Sequence, residues 1–433
     1  MPALLKLTPE QEVIRELSEQ IVLAQKPIQI LDAVKWGPEV KEAFFKANAK
    51  QLPPVDNSYY QQHALPFDPD AKIAEFHAIE RNIHRKLGQF SGIAAIMLHT
   101  CHEYRIAIEM LKLRGTEQFS QYSVDLYGSS MDAFYPGAPI LNDLAELLAT
   151  ALTSLQQNLT SQKDEKKYTA SEAAEILNER LASYFHNAEN DVAVIESDSI
   201  ISDAAAGASY IKMRTDAMFS ERDIQLLEVH EGWVHVGTSL NGSAQPVCTF
   251  LGKGPPSATI TQEGLAVITE IFTFSSYPSR VQRITNRIKA IYMAENGADF
   301  LEVYRYFCEQ GVTPDNAYNL TTRVYRGSTP QFGPFTKDLS YAKGFLLIYN
   351  YIRLAVQMGL STHVPILFTG KLRLEDVHTL YEYVEEGTVI LPLFMPPQFK
   401  DLAALSSWMS FSLFLNQLDL KKLAENYRHI LHH

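Results

Sequence analysis

Two histidines and a glutamate lie within a few residues of each other in the segment LLEVHEGWVHVGTSLNG, residues 226–242. His230, Glu231 and His235 come close to the zinc-peptidase pattern H-E-x-x-H, but the histidines are five residues apart rather than four. On a regular helix, at about 100° per residue, side chains five apart diverge by about 140°. A shared metal therefore requires a widened, π-type turn between them, and Gly232 weakens the regular helix at that point.

A zinc hydrolase needs three protein ligands, an open position for water and a general base. His230 and His235 could supply two ligands, and Glu231 could be the base. The segment TQEGLAVITE places Glu263 at a predicted helix start, where it could be the third ligand. Glu270 shares the face of Glu263 and is either a competing ligand or a hydrogen-bond partner. Taken alone, the two histidines and Glu231 are by default packing or surface residues, and Glu263 is a carboxylate at a helix N-terminus that the helix dipole stabilises.

The two segments together resemble a known family. LLEVHEGWVHVGTSLNG…QP followed by TQEGLA is similar to the flavohemoglobin expression-modulating QEGLA motif proteins of bacteria and to the related microtubule-associated tyrosine carboxypeptidase family of animals. The resemblance continues through RVYRG (323–327) and FTKDLSYAKG (335–344), and it reaches back to LYG (126–128) and MFSERDI (218–224). It therefore spans most of the chain.

This resemblance implies a zinc-dependent metallopeptidase of the glutamate-ligated zincin type. By position, His230, His235 and Glu263 are then the ligands of one Zn²⁺ ion, and Glu231 is the catalytic base. The implied activity is that of a carboxypeptidase that removes a C-terminal residue, with a peptide or protein C-terminus as the substrate. The physiological substrate does not carry over, because its recognition surface lies outside these motifs.

Two further roles follow from this chemistry. The transition-state oxyanion needs a hydrogen-bond donor besides the metal, and Tyr325 or Tyr341 could supply it, although packing is the commoner role of a buried tyrosine. A terminal carboxylate is best bound by Arg or Lys. The candidates for that role are Lys212, Arg214, Arg323, Arg326 and Lys337. The predicted strand SYIKMRTD could also pair with an extended peptide.

Two other functions remain open from the sequence. Two His and one carboxylate also form the facial triad of non-haem Fe(II) enzymes, although Glu231 beside His230 favours hydrolysis. A metal-bound regulatory protein without hydrolytic activity would need the same ligands.

The elements around these motifs predict an α+β fold that is predominantly α-helical, with a zincin-like core and a small sheet. Residues 1–165 are expected to form an N-terminal helical region and residues 166–433 the catalytic region, packed as one unit and joined near 161–168. Strands are predicted at 191–198 and 209–216. A helix over about 221–240, capped by Ser220 and Asp223, should end at Asn241-Gly242. Thr261 should cap the QEGLA helix. Further helices are predicted in the ranges 9–24, 69–88, 91–114, 141–161, 278–309, 314–322, 337–359, 373–386 and 399–428.

The composition limits the class of protein. A net charge of −12 argues against a general nucleic-acid or anionic-membrane binder. No apolar run is long enough to span a membrane, and the N-terminus lacks the pattern of a signal peptide. Three scattered cysteines fit a reducing compartment, so the predicted location is cytoplasmic. The oligomeric state is not determined by these features.

Overall fold

The structure, a computed structural model, describes residues 7–88, 91–158, 165–186, 192–198, 200 and 202–431. The described residues are mostly helical with small sheets, which confirms the predicted fold class. The α-helices are α1 (Pro9–Gln25), α2 (Ile30–Ala33), α3 (Pro38–Lys46), α4 (Asn57–Gln62), α5 (Pro69–Leu87), α6 (Gly92–Lys112), α7 (Gln118–Tyr127), α8 (Leu141–Asn158), α9 (Ala170–Tyr184), α10 (Glu221–Leu227), α11 (Gly237–Ser243), α12 (Ala258–Phe272), α13 (Pro278–Glu295), α14 (Phe300–Glu309), α15 (Pro314–Tyr325), α16 (Ser340–Gln357), α17 (Val377–Glu385), α18 (Pro397–Lys400), α19 (Leu402–Leu415) and α20 (Leu420–Leu431).

Other helical types connect these elements. A π-helical segment, Glu228–Val236, joins α10 to α11 without a break. The 3₁₀ segments are Thr249–Gly252, Thr336–Leu339, Ser361–Phe368 and Leu374–Asp376.

The strands form two small sheets. They are β1 (Tyr168–Thr169), β2 (Ala193–Ser197), β3 (Ala204–Ala206), β4 (Tyr210–Arg214) and β5 (Met218–Phe219). The larger sheet has the order β2-β4-β3, with β2 parallel and β3 antiparallel to β4. Because β4 is the central strand, both of its edges are already paired, so the expectation that SYIKMRTD pairs with a peptide is wrong. β3 is an edge strand and lies on the side of the sheet that contacts the π-helical segment.

Three hydrophobic clusters hold these elements together. The first joins α1, α5 and α6 to α12, α16 and α19, the second joins α3, α8 and α13–α15, and the third packs α9 and the larger sheet against α10 and the π-helical segment. Residues on both sides of position 165 thus share one cluster. The division into regions 1–165 and 166–433 stays a prediction, and part of its joint, residues 159–164, lies outside the described residues.

Helix α12 meets α16 at two glycines, which explains the glycine of the QEGLA motif. A Cβ at Gly264 would overlap the backbone of Gly344, and a Cβ at Gly344 would overlap the carbonyl oxygen of Ile260. Only residues without a side chain allow so close an approach of two helix backbones. This contact fixes the helix that carries Glu263 against the helix that begins one residue before Tyr341.

Several predicted boundaries are wrong for local physical reasons. The helix that carries the two histidines continues through Asn241 and Gly242, because the Asn241 side chain is a buried anchor that donates to the carbonyls of Phe368 and Phe394. α12 begins at Ala258, so Thr261 lies inside it and does not cap it. The range 278–309 contains two helices, separated at Asn296-Gly297 and restarted by the capping box of Asp299. The range 399–428 is likewise divided between α18, α19 and α20.

Candidate metal centre

The predicted distortion between the two histidines is present. α10 starts at the capping box formed by Ser220 and Asp223, as expected, and the π-helical segment then contains both His230 and His235. The wider turns bring the two imidazoles to one side, with ring centroids 4.7 Å apart and ring planes at 88°. The spacing of five residues is therefore compatible with a shared ligand, because the backbone has changed its helical repeat.

Glu263 completes a group of three converging ligand atoms. Its Oε2 lies 3.2 Å from His230 Nε2 and 3.6 Å from His235 Nε2. One ligand atom from each of the three residues lies within 4.8 Å of the others, a geometry that could hold a metal ion. All three side chains are largely buried, with exposed fractions between 4% and 12%. Two imidazoles and a carboxylate are the donor set of catalytic zinc sites.

The electrostatics of the group fit a cation. Glu263 Oε2 is buried and has no hydrogen-bond partner among the described residues. Burial would raise the pKa of Glu263, but the two adjacent imidazoles, with Lys337, hold that pKa well below its usual range. A buried, ionised carboxylate oxygen without a donor is costly unless a cation balances it. A metal ion at this point would satisfy the oxygen and both imidazole nitrogens.

Glu270 fixes the orientation of His230 from behind. Its Oε1 lies 2.6 Å from His230 Nδ1, and Arg280 donates to both carboxylate oxygens at 2.8 and 3.1 Å. Burial raises the pKa of Glu270, but Arg280 and His230 outweigh it and lower the pKa to about 2. A carboxylate on the far nitrogen of a ligating histidine fixes the tautomer that presents Nε2 to the metal. Glu270 is thus the hydrogen-bond partner of His230, and Glu263 lies in the ligand group.

Glu231 is held by the edge strand of the sheet. Its Oε2 accepts a hydrogen bond of 2.9 Å from the backbone N–H of Ala206 in β3. Burial lowers the pKa of Lys371, and the nearby carboxylates of Glu231 and Glu263 act in the opposite direction. Lys371 is a cation near the centre that the sequence did not indicate, because it lies in a loop far along the chain from both motifs.

Three of the five predicted basic residues lie near the centre. Lys337 Nζ is 3.9 Å from Glu263 Oε1, and burial lowers the pKa of this lysine. Arg323 already binds a carboxylate, because its Nε and Nη2 each donate to Asp338 at 2.7 Å. Arg326 is 5% exposed, and its buried Nε has no hydrogen-bond partner among the described residues. Burial lowers the pKa of Arg326 to about 10, and Arg323 acts in the same direction.

The other two predicted basic residues belong to the central strand β4. Arg214 forms ion pairs with Asp203 and Asp216. Lys212 Nζ lies 5.7 Å from the ring centroid of Tyr210. The structure does not bring either side chain to the group of His230, His235 and Glu263.

Arg287 is a further residue of the centre that the sequence analysis missed. Its guanidinium stacks 4.3 Å from the centroid of Tyr341, and its nearest acid is Asp338, at 3.8 Å. The buried Nε and Nη1 have no hydrogen-bond partner among the described residues. Arg280 and Arg287 are seven residues apart on α13, so they share one face of that helix. The spacing of seven residues was visible in the sequence. It does not indicate, however, which element that face of α13 contacts.

The two candidate tyrosines occupy different environments. The Tyr341 ring lies parallel to that of His230, with centroids 6.1 Å apart, and burial together with Glu263 raises the pKa of Tyr341 to about 12. Tyr325 is fully buried, and its hydroxyl donates to the carbonyl of Ala298 at 2.5 Å. Tyr341 is therefore the tyrosine that the structure brings beside the ligands, whereas Tyr325 packs in the second hydrophobic cluster.

The fold and the site together define a mostly helical protein with a buried His₂Glu group of metal-binding type. Residues 42–417 match the sequence model of the family described as microtubule-associated tyrosine carboxypeptidase, and the chain belongs to this family. The match confirms the resemblance noted from the two motifs. No match to a curated protein is found.

Proposed function

We propose that the protein is a zinc-dependent carboxypeptidase that removes a C-terminal residue from a peptide or protein. The observation that carries the proposal is the convergence of His230 Nε2, His235 Nε2 and the unsatisfied Glu263 Oε2 beside Glu231. Membership of a family named for a tyrosine carboxypeptidase supports the reaction class.

The metal in this proposal is zinc. A set of two imidazoles and one carboxylate, with a carboxylate behind the first imidazole, suits zinc in a catalytic site. Bound there, the ion would supply an acidified water molecule and polarise the scissile carbonyl. His230, His235 and Glu263 would hold it, and no other group among the described residues meets the same geometric requirement.

Glu231 is the proposed general base. The N–H of Ala206 fixes Oε2, and Oε1 makes no hydrogen bond to a described residue, so Oε1 is the atom available to take a proton from water. The same carboxyl group would then donate the proton to the amine of the leaving residue. Tyr341, whose hydroxyl stays protonated at neutral pH, could donate a hydrogen bond to the developing oxyanion.

The cations beside the ligands support an exopeptidase. Arg326 and Arg287 have buried donors without acceptors among the described residues, and the acids that act most on Lys337 are Glu263 and Asp338. An unpaired buried cation is costly, so these side chains would be stabilised by an anion from a bound substrate. The carboxylate of a peptide C-terminus has the charge and the planar shape that a guanidinium binds.

The peptide backbone would lie along β3. β3 is the edge strand next to the π-helical segment, and the N–H of its last residue, Ala206, already points at Glu231. A peptide on this edge would present its scissile bond to Glu231.

A peptide digestion tests this function. The zinc-loaded protein is incubated with a peptide library and with the same peptides carrying a C-terminal amide, and the products are identified by mass spectrometry. We expect loss of one C-terminal residue from the free acids and no cleavage of the amides. Internal cuts, or equal cleavage of acids and amides, would contradict the carboxypeptidase. Iron bound in stoichiometric amount together with oxygen uptake would indicate a non-haem iron enzyme instead.

A further inference from the structure

Lys337 connects the proposed metal ligands to the basic side chains beside them. Its Nζ lies 3.9 Å from Glu263 Oε1, whereas the other oxygen of that carboxylate, Oε2, faces His230 and His235 at 3.2 and 3.6 Å. The side chains of Lys337 and Glu263 are only 17% and 9% exposed. The carboxylate thus faces the proposed metal position through one oxygen and a lysine through the other, and little water screens either contact.

Asp338 is the other acid near Lys337, but arginines already surround it. Arg323 donates to both oxygens of Asp338 at 2.7 Å, and Arg287 Nε approaches the same carboxylate at 3.8 Å. Burial would raise the pKa of Asp338, but these two arginines and Arg326 lower it below its ordinary value. Asp338 is therefore shared among three arginines, which leaves Glu263 as the main counter-charge of Lys337.

The balance of charge at Lys337 would change when the three ligands hold a divalent cation. The single negative charge of Glu263 would then lie beside two positive charges and could no longer balance the lysine. Lys337 would join Arg287 and Arg326, whose buried Nε atoms have no hydrogen-bond partner among the described residues. These three side chains form the carboxylate pocket. Because a buried cation without a counter-ion is costly, filling the metal site would make the pocket bind an external anion more tightly.

We propose that Lys337 couples the metal site to the carboxylate pocket, so that an oxyanion in the pocket tightens metal binding and a bound metal tightens the oxyanion. This inference rests on the proposed metal site and adds a regulatory property to it. The anion class is a carboxylate, sulfate or phosphate group, because guanidinium and ammonium groups bind such oxygens. The coupling is equal in both directions, as linkage between two binding sites requires. The protein would then hold its metal most tightly when a free C-terminus occupies the pocket.

Zinc affinity measured with and without sulfate tests this coupling in the absence of a substrate. The protein is titrated with zinc against a competing fluorescent chelator, in sodium sulfate and in sodium chloride of equal ionic strength. We expect sulfate to tighten zinc binding to the wild-type protein by about 5- to 50-fold, the usual range for two coupled sites.

Lys337→Met should change both sides of this comparison. In chloride it should bind zinc more tightly than the wild type, because a positive charge beside the metal site is removed. Sulfate should then change its zinc affinity by less than about twofold, because the shared counter-ion is gone.

Two further variants separate the effect of Lys337 from a general effect of charge. Lys343→Met removes a lysine of the same FTKDLSYAKG segment whose ion-pair partner is Asp132, so it should keep the wild-type response to sulfate. Lys337→Arg keeps the positive charge and should retain most of the response. Circular dichroism verifies that each variant is folded.

Two results would overturn the coupling alone. The first is an equal zinc affinity of the wild-type protein in sulfate and in chloride, which would show that the two sites are independent. The second is a sulfate effect as large in Lys337→Met as in the wild type, which would show that the anion acts on the metal itself. A wild-type protein that binds no zinc in either buffer would overturn the proposed metal site as well.

Discussion

His230 makes contacts through both nitrogens of its ring, and these contacts define its role. Nε2 faces Glu263, and Nδ1 faces the carboxylate of Glu270, which Arg280 holds in turn. A ligand whose far nitrogen is fixed in this way loses little rotational freedom when a metal binds. The sequence left Glu263 and Glu270 as alternatives because they share a helix face. Only the packing of α12 against the π-helical segment distinguishes them.

Arg287 offers a test of the proposed carboxylate pocket. Arg287→Met should raise KM for a peptide with a free C-terminus about 10- to 100-fold, because one charge-assisted hydrogen bond is lost. The protein's thermal stability should stay equal or increase, because the buried Nε and Nη1 of Arg287 have no hydrogen-bond partner among the described residues. Steady-state kinetics and a thermal melt measure both effects. Arg283→Met on the same helix, where Arg283 binds the Tyr277 hydroxyl, is the control and should leave KM unchanged. An unchanged KM in Arg287→Met would show that Arg287 does not bind the substrate carboxylate.

Among the helices and strands, the features that could be predicted from the sequence are those that the spacing of nearby residues requires. The separation of His230 and His235 required a π-type turn, and the structure contains one. β3 was not predicted, because three consecutive alanines carry no strand pattern and pair only through the neighbouring strand β4. The positions of Arg287 and Lys371 depend on contacts between elements distant in sequence. Such contacts leave no local pattern.

The contact between α12 and α16 gives a second prediction. Gly264→Ala should destabilise the protein by about 1–3 kcal/mol, because the added methyl overlaps the backbone of Gly344. Gly237→Ala is the matched control: Gly237 is also helical, but a Cβ there meets nothing closer than 3.8 Å, so a small gain of about 0.5–1 kcal/mol is expected. Urea unfolding measures both changes. Equal stabilities for the two variants would contradict the close approach of the helices.

The first turn of α12 depends on a carboxylate from α6. Glu103 accepts hydrogen bonds from the N–H and the hydroxyl of Ser257, at 2.8 and 2.6 Å. Burial raises the pKa of Glu103, but His99 and Ser257 lower it below its ordinary value of 4.5. The folded state therefore gains stability from this carboxylate above pH 4.5 and loses it as the pH falls through the lower, folded pKa.

Glu103→Gln tests this contribution. At pH 7 it should lower the free energy of unfolding by about 1–3 kcal/mol, because the charged acceptor is lost. The difference from the wild type should shrink as the pH is lowered below 4.5. Denaturant unfolding of both proteins across this range is the measurement. A difference independent of pH would show that the charge of Glu103 does not stabilise α12.

The charge of the whole molecule is distributed unevenly. The chain is acidic overall, yet the buried Arg326 and the largely buried Arg287 and Lys337 lie near the group of His230, His235 and Glu263 with few acids to balance them. A net charge of −12 argues against a general binder of polyanions, but it does not forbid a local basic pocket. None of the described helices could span a membrane. The cytoplasmic location stays a prediction.

Metal binding should stabilise the folded chain, because the proposed ligands come from two separate elements, the π-helical segment and α12. At a free zinc concentration of 1,000 Kd the gain is about 4 kcal/mol. Removal of the metal with a chelator should therefore lower Tm by several degrees, as measured by calorimetry. His235→Ala, which lacks one ligand, should show little response to the chelator. A wild-type Tm that is insensitive to chelation would contradict a bound metal.

Peptide hydrolysis by Glu231→Gln, measured at equal zinc content, is the most direct test of the proposed chemistry. The substitution preserves the shape of the side chain but removes its ability to take a proton. We predict that Glu231→Gln retains one zinc ion and that its kcat falls by about 10²- to 10⁴-fold, the usual effect of losing a general base. Glu228→Gln, in the same π-helical segment but paired with Arg180, should keep wild-type activity. Full activity in a zinc-loaded Glu231→Gln protein would contradict the account.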